Sequence, residues 1–327
     1  MQFNERYSFM TWQALRQLLE ARQSDVSMWQ ATQPVSRVAL ILSPAVGDSL
    51  LMMTVAHNLQ KNGIAATVFG QHAHALRDWF PGIDIQAELG EDRLAEKLHR
   101  FDTVIQMHAN RPFAGLDRLH PRVILLDHIC RARSSESMAD RLALFCRDEF
   151  GLPDAGKSNG ITPPPGLLHR KYPLRVAIHP TASTVDKRWL ASRFIQLGVE
   201  LLDQGFSPQF VVAPHERADW QHVERLGIAL PELSSLDHVA AWLFECGWFI
   251  GNDSGIGHLA SNLQIPTVSL FMRRGIARTW RPDWGTGRVL IGGTYLPTGR
   301  LKERYWKYLL SVGKVTQAFE QLRANFA

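Results

Sequence analysis

WFIGNDSGIGHLASNLQIPTVSLF, residues 248–271, is the stretch from which the fold can be read. The apolar run Trp248-Phe249-Ile250 halts at Gly251 and gives way to small and polar residues, Asn252 to Gly255. Ile256, Leu259, Ala260 and Leu263 then fall at i, i+3, i+4 and i+7, the apolar face of a short helix. Pro266 closes that helix, and Thr267 to Phe271 is β-rich again. This strand–helix–strand unit sets Asp253, Ser254, Gly255 and His258 at the mouth of a helix N-terminus, where backbone N–H groups favour an anion. An ordinary loop, with Ser254 as N-cap and Asp253 answering the helix dipole, uses the same residue types. His258 likewise has two readings: a partner for a phosphate oxygen or sugar hydroxyl, or a structural imidazole.

The same pattern recurs along the chain. Arg37 to Leu42 reads as a buried strand that ends in Ser43-Pro44-Ala45-Val46-Gly47-Asp48. A helix follows, with Met52, Val55, Ala56 and Leu59 on its buried face and Gly63 beyond its end. Ala65 to Phe69 is the next strand, and a βαβ start implies a parallel sheet. Further strands are predicted over 103–107 and 122–126, with helices over about 73–80, 91–100 and 137–150. Residues 151–173 are rich in Pro and Gly, lack periodicity, and predict a flexible interdomain linker. A second α/β series opens at Arg175–Ile178. Helices over about 190–204, 216–226, 237–246 and 314–326 and a strand over 209–213 complete it, and one more helix is predicted over residues 9–24. The fold class is therefore α/β, two parallel-sheet domains facing across a cleft. The expected divisions are an N-terminal extension (1–36), a first domain (37–152), a linker (153–173), a second domain (174–312) and a C-terminal helix (313–327).

Composition narrows the function. The 327 residues, 45% hydrophobic, are ample for two cores. No run approaches the roughly 18 apolar residues of a membrane span, and the first residues do not read as a secretory signal. Three cysteines without metal-ligand spacing suit a reduced, cytoplasmic compartment. Motifs for a catalytic metal, a P-loop, a nucleophilic serine and a dinucleotide fingerprint are missing from the sequence, so no metal is expected. The net charge of +5 is unevenly spread: nine Arg or Lys lie between Phe271 and Leu309 against Asp283 and Glu303. Such a segment suits an anionic partner or is simply a solvated face. No nucleic-acid module accompanies it, so nucleic acid is not expected.

Three strand ends carry candidate chemistry. Asp48, at the carboxyl edge of the first sheet, is either a general base for an acceptor hydroxyl or a helix cap. The loop His179 to Trp189 is rich in hydroxyls and holds Lys187 and Arg188, a composition suited to a diphosphate and equally to a solvated loop. Glu216, after Ala213-Pro214-His215, is either a holder of ribose hydroxyls or a first-turn helix residue.

Together these segments resemble the ADP-heptose:lipopolysaccharide heptosyltransferases of glycosyltransferase family nine, which have the two-Rossmann-lobe GT-B fold. The resemblance spans about residues 37–300 and rests on four motifs in order: Gly47-Asp48, Lys187-x-Trp189, Ala213-Pro214-His215-Glu216, and Asp253-Ser254-Gly255-Ile256-Gly257-His258-Leu259-Ala260. It implies inverting, metal-independent transfer of a heptose from ADP-heptose to a lipopolysaccharide inner-core acceptor, with no cofactor. Asp48 would be the base. Thr181, Ser183 or Thr184 with Lys187 would hold the phosphates, Glu216 the ribose, and Asp253 the donor sugar. Ser254 and Gly255 would offer N–H groups to the diphosphate, and His258 belongs to the same donor site. Arg273, Arg274, Arg278 and Arg281 would read an anionic glycolipid acceptor or line the donor site, with the enzyme in the cytoplasm or peripheral at the inner membrane. The alternatives are a same-fold transferase with a protein or other glycan acceptor or another nucleotide sugar, and a non-catalytic nucleotide-sugar-binding protein. The chain departs from the family pattern after its last core strand, where Met272-Arg273-Arg274 replaces a Gly-Pro-Thr-type turn.

Overall fold

The computed structural model describes residues 35–132, 134–293 and 297–326. The helix predicted over residues 9–24 lies outside them. Strands β1 (Arg37–Ile41), β2 (Ala65–Phe69), β3 (Asp84–Gln86), β4 (Thr103–Gln106) and β5 (Val123–Leu125) form one sheet in the order β3-β2-β1-β4-β5. Strands β6 (Tyr172–His179), β7 (Ser207–Phe210), β8 (Cys246–Asn252), β9 (Thr267–Phe271) and β10 (Gly287–Ile291) form the other, ordered β10-β9-β8-β6-β7. Every pairing in both is parallel. The central strands are the most continuously apolar: four of five residues of β1 and all seven of β8 are buried. That is how a strand covered on both faces must read.

Each sheet reverses its strand order once, between β1 and β4 in the first and between β6 and β8 in the second. Ligands of open α/β sheets bind outside the carboxyl ends at such points, because the flanking connections leave on opposite faces and open a crevice. Asp48 follows β1. The loop with Lys187 follows β6, and Asp253 follows β8.

The two lobes are not separated by solvent along their whole length. One apolar cluster runs through both, joining Leu50 and Met53 of the helix Val46–Lys61 to Phe249, Leu259 and Leu263 of the second lobe. The Pro- and Gly-rich connector is fastened as well, contrary to the expectation of a flexible linker. Asn58 exchanges two hydrogen bonds of 2.8 Å with the backbone of Gly156, Asn159 donates to the Leu50 carbonyl at 3.0 Å, and Thr162 N–H donates to the Trp79 carbonyl at 2.8 Å. Pro and Gly remove backbone donors and side chains, but the remaining polar groups here find partners on the first lobe. The C-terminal helix Val312–Arg323 buries Val315, Phe319 and Leu322 against the second lobe.

Other differences from the sequence reading have local causes. The helix predicted over 216–226 breaks into short turns, Pro214–Glu216, Arg217–Trp220 and Gln221–Leu226. The one over 73–80 is Gln71–Ala75 plus a single turn at Arg77–Trp79, and the one over 91–100 shrinks to Leu94–Leu98. The one over 137–150 is α-helical only over Met138–Leu144, then widens into a π-turn at Phe145–Glu149. Cys246, assigned to a helix end, opens β8 instead. The edge strands β3 and β10 and the helices Arg274–Trp280 and Gly299–Leu309 were not anticipated; β3 is three residues long, and the others lie within the basic segment.

Candidate active site

Two helix N-termini meet end to end at the seam between the lobes. Val46–Lys61 begins after β1 with no side-chain cap, and Gly255–Asn262 begins after β8 with Ser254 Oγ accepting from Gly257 N–H at 3.3 Å. Ser254 is thus an N-cap in fact. The two ends touch so closely that a Cβ on Gly255 would lie 2.6 Å from Val46 Cβ and 2.9 Å from the Gly47 nitrogen. A Cβ on Gly47 would lie 3.1 Å from His258 Cδ2. Only glycines permit this approach, which brings two sets of backbone donors and two partial positive charges to one place.

Asp48 lies in the first turn of its helix but does not cap it; Ala45 holds the cap position. Its Oδ2 accepts from Ser43 Oγ at 3.0 Å, and His108 Nε2 stands 3.8 Å away. Burial alone pushes the Asp48 pKa up, but hydrogen bonding and charge from His108, the Ser43 hydroxyl and His258 outweigh it, and the pKa is lowered. The carboxylate is therefore ionised at neutral pH, as a base must be. His108 itself lies between two carboxylates, with Nδ1 3.9 Å from Asp127 Oδ1. Asp127 is held by the Ala109 N–H at 2.6 Å and by Arg131 at 3.2 Å.

On the other lobe, Asn252 organises the loop after β6. Its fully buried side chain accepts from Trp189 N–H at 3.0 Å and donates to the Pro180 carbonyl at 2.9 Å, tying both ends of that loop to the end of β8. Thr181 is buried on this loop, Ser183 and Thr184 are exposed, and Lys187 reaches across it to Asp253, Nζ to Oδ2 2.8 Å. Glu216 turns back on its own strand end, accepting from Ala213 N–H at 3.2 Å, and lies 3.6 Å from Arg188. Arg188 in turn donates to the Ala182 carbonyl at 2.9 Å. His258 is buried edge-on to Trp284, ring centroids 5.9 Å apart. Its pKa is lowered by burial, against the pull of Asp253 and Asp48, so the ring is neutral. Its Nδ1 is buried without a hydrogen-bond partner.

Asp48, Lys187, Asp253, Ser254, Gly255 and His258 are thus gathered at the seam, with Thr181 on the adjoining loop and Glu216 joined to that loop through Arg188. Arg273, Arg274 and Arg278 are not part of the cluster. Arg273 pairs with Glu303 at 3.1 Å, while Arg274 and Arg278 are exposed on the helix after β9. Arg281, at the end of that helix, lies 3.5 Å from Asp283. Sequence reasoning missed His108, Asp127 and Asn252 as site residues. The first two had a legible signal: each stands within two residues of a strand end on the edge that carries Asp48. Among the described residues no group of three His, Cys, Asp or Glu side chains is arranged to hold a metal.

Residues 140–285 match the family model described as Glycosyltransferase family 9 (heptosyltransferase). The match covers fewer than half of the 327 residues and makes the chain, chiefly its second lobe, similar to that family. The matched segment holds the second-lobe site residues, and Asp48 lies outside it. Solved structures share the fold over most of this chain and nearly all of theirs. They include a glycosyl transferase family 9 protein from Veillonella parvula (TM-score 0.64, 17% identity, 88% of this chain and 97% of that one). E. coli ADP-heptose lps heptosyltransferase II gives 0.63, 18%, 88% and 98%. E. coli heptosyltransferase WaaC with ADP gives 0.63, 15%, 88% and 99%. At such identities the likeness is one of fold. No curated protein matches the chain in sequence. No helix among its described residues is long and apolar enough to cross a membrane.

Proposed function

We propose that the protein is a glycosyltransferase that moves a heptose from ADP-heptose to a lipopolysaccharide inner-core acceptor, inverting the anomeric centre without a metal ion. The observation that carries the reading is the meeting of an ionised Asp48 from one lobe with the Lys187–Asp253 pair and the Ser254-capped helix start from the other. In this reading the acceptor hydroxyl gives its proton to Asp48 as its oxygen bonds the anomeric carbon. The bond from that carbon to the diphosphate oxygen breaks, and ADP leaves with the electron pair. Charge developing on the diphosphate falls to Lys187, the hydroxyls of Thr181, Ser183 and Thr184, and the N–H groups at Ser254 and Gly255. Preorganised donors of this kind can do the work of a divalent ion. Glu216 takes the ribose, Asp253 the hydroxyls of the donor sugar, and His258 stays neutral to bond one further oxygen.

The test is Asp48→Asn assayed for ADP release from ADP-heptose with a lipid-linked inner-core acceptor. Turnover should fall by about 10²–10⁴ while calorimetry shows ADP bound as before. Equal loss of ADP affinity would make Asp48 a structural residue, and activity abolished by EDTA would contradict the metal-free route.

A further inference from the structure

The helix Gly299–Leu309 presents an outward face that the second lobe does not use. Leu301, Arg304, Tyr305 and Tyr308 stand at i, i+3, i+4 and i+7 and are all exposed, Tyr308 by 54%. Its inward side is firmly held. Trp306 is fully buried with Nε1 donating to the Asp186 carbonyl at 2.7 Å, and Arg193 donates to the carbonyls of Lys307 (3.0 Å), Tyr308 (2.9 Å) and Leu310. Those carbonyls are among the last of the helix, which would otherwise lack partners. The exposed face is therefore a fixed surface.

Val185, 68% exposed, stands on the loop beside this helix, its carbonyl accepting from Lys307 Nζ at 3.4 Å. Of nine exposed large apolar side chains among the described residues, three share this helix face: Leu301, Tyr305 and Tyr308. Single exposed apolar residues are ordinary, whereas a cluster marks an interaction site. Arg300, Lys302, Arg304 and Lys307 surround this one, and the single acidic residue of the helix, Glu303, is already paired with Arg273. Tyrosine rings with a wet end, a leucine, and cations beside them suit the boundary between anionic headgroups and acyl chains. A nucleic-acid backbone would match the cations and leave the leucine and valine unserved.

We propose that this helix, together with Val185, docks the protein on an anionic bilayer. The docking surface adjoins the loop that ends in Lys187, so it would hold the carboxyl edge of the second sheet near the lipid plane. This deepens the glycolipid-acceptor reading and rests on it for its purpose; docking itself is measurable without turnover.

The full chain is sedimented with vesicles of phosphatidylcholine alone and mixed with phosphatidylglycerol. Binding should require the anionic lipid and weaken with salt. Arg300→Gln and Arg304→Gln should each reduce partitioning roughly fivefold, and Tyr305→Ser with Tyr308→Ser should reduce it at least as much. Leu174→Ser, an exposed residue at the opposite end of β6, should leave it unchanged. ADP calorimetry on every variant reports an intact second lobe. Docking is overturned if the parent ignores vesicles, if the helix variants sediment like the parent, or if the chain binds heparin or RNA and not lipid. A chain that binds ADP but no vesicle overturns docking alone, and one that docks but binds no ADP-sugar overturns the transferase reading alone.

Discussion

The ammonium of Lys187 lies 2.8 Å from Asp253 Oδ2, so the cation suited to a diphosphate is held by the carboxylate suited to the donor sugar. The pair bridges the two loops that flank the strand-order reversal of the second sheet. Asp253 is only 8% exposed, which makes its charge costly without a partner. Lys187→Ala should weaken ADP binding and lower stability by about 1–3 kcal/mol, the range between an exposed and a buried pair. Adding Asp253→Asn should restore the melting temperature without restoring ADP affinity. An unchanged ADP dissociation constant in the single variant would remove Lys187 from the phosphate role.

His108 gives a pH signature. As the proposed base, Asp48 must be ionised to accept a proton, so activity should be lost as pH falls through its pKa, which lies below the ordinary carboxylate value. His108→Gln removes the imidazole that helps to hold it down and leaves burial acting upward. The acid limb of kcat/KM should then move to higher pH. An acid limb that stays in place in His108→Gln would show that the imidazole does not govern the base.

Gly255→Ala should be among the most damaging single-methyl changes in the chain. The new carbon would meet Val46 Cβ at 2.6 Å and the Gly47 backbone nitrogen at 2.9 Å, and backbone cannot step aside as a side chain can. A loss of about 3 kcal/mol is expected, at the upper end for overpacking. Because the Gly47 nitrogen is part of the clash, Val46→Ala should not rescue the variant. A rescued melting temperature would place the conflict in the valine side chain alone.

Buried neutral histidines predict acid sensitivity. His179 and His258 both have pKa values lowered, first by burial, so the unfolded chain binds protons that the folded chain refuses. Stability from these groups is complete above their ordinary pKa of about 6.5 and falls as pH drops below it toward the folded values. Thermal melts from pH 8 to pH 5 should show the decline, and His258→Asn should flatten it. A variant with the parent's slope would assign the effect to other groups.

The parallel sheets were legible because β1 and β8 carry continuous apolar runs, Val38–Ile41 and Trp248–Ile250, that give way to abrupt polar turns. The edge strands were not: Asp84-Ile85-Gln86 is too short to show alternation, and β10 is interrupted by Arg288 inside a basic segment. Asp48, Lys187 and Asp253 were found through strand ends and spacing. The Lys187–Asp253 pairing was not, because it depends on how Asn252 folds one loop against another, sixty-three residues apart between Trp189 and Asn252. His108 shows a different limit. A histidine one residue past a predicted strand carries no periodic signal, and its meaning comes from the carboxylates placed on either side of it.

The apolar cluster that runs through both lobes bears on how this scaffold could acquire new specificity. A donor lobe joined by a solvated hinge could be transplanted onto a different acceptor lobe by cutting at the connector. Here the cut would expose Phe249, Leu259 and Leu263 on one side and Leu50 and Met53 on the other, with Asn58 left facing an absent Gly156. Chimeras made at residues 151–171 should therefore be insoluble unless the helix Val46–Lys61 travels with the second lobe's seam. On the proposed transferase reading, new acceptors would be more readily accommodated by changing the rim loops of the first lobe than by exchanging halves.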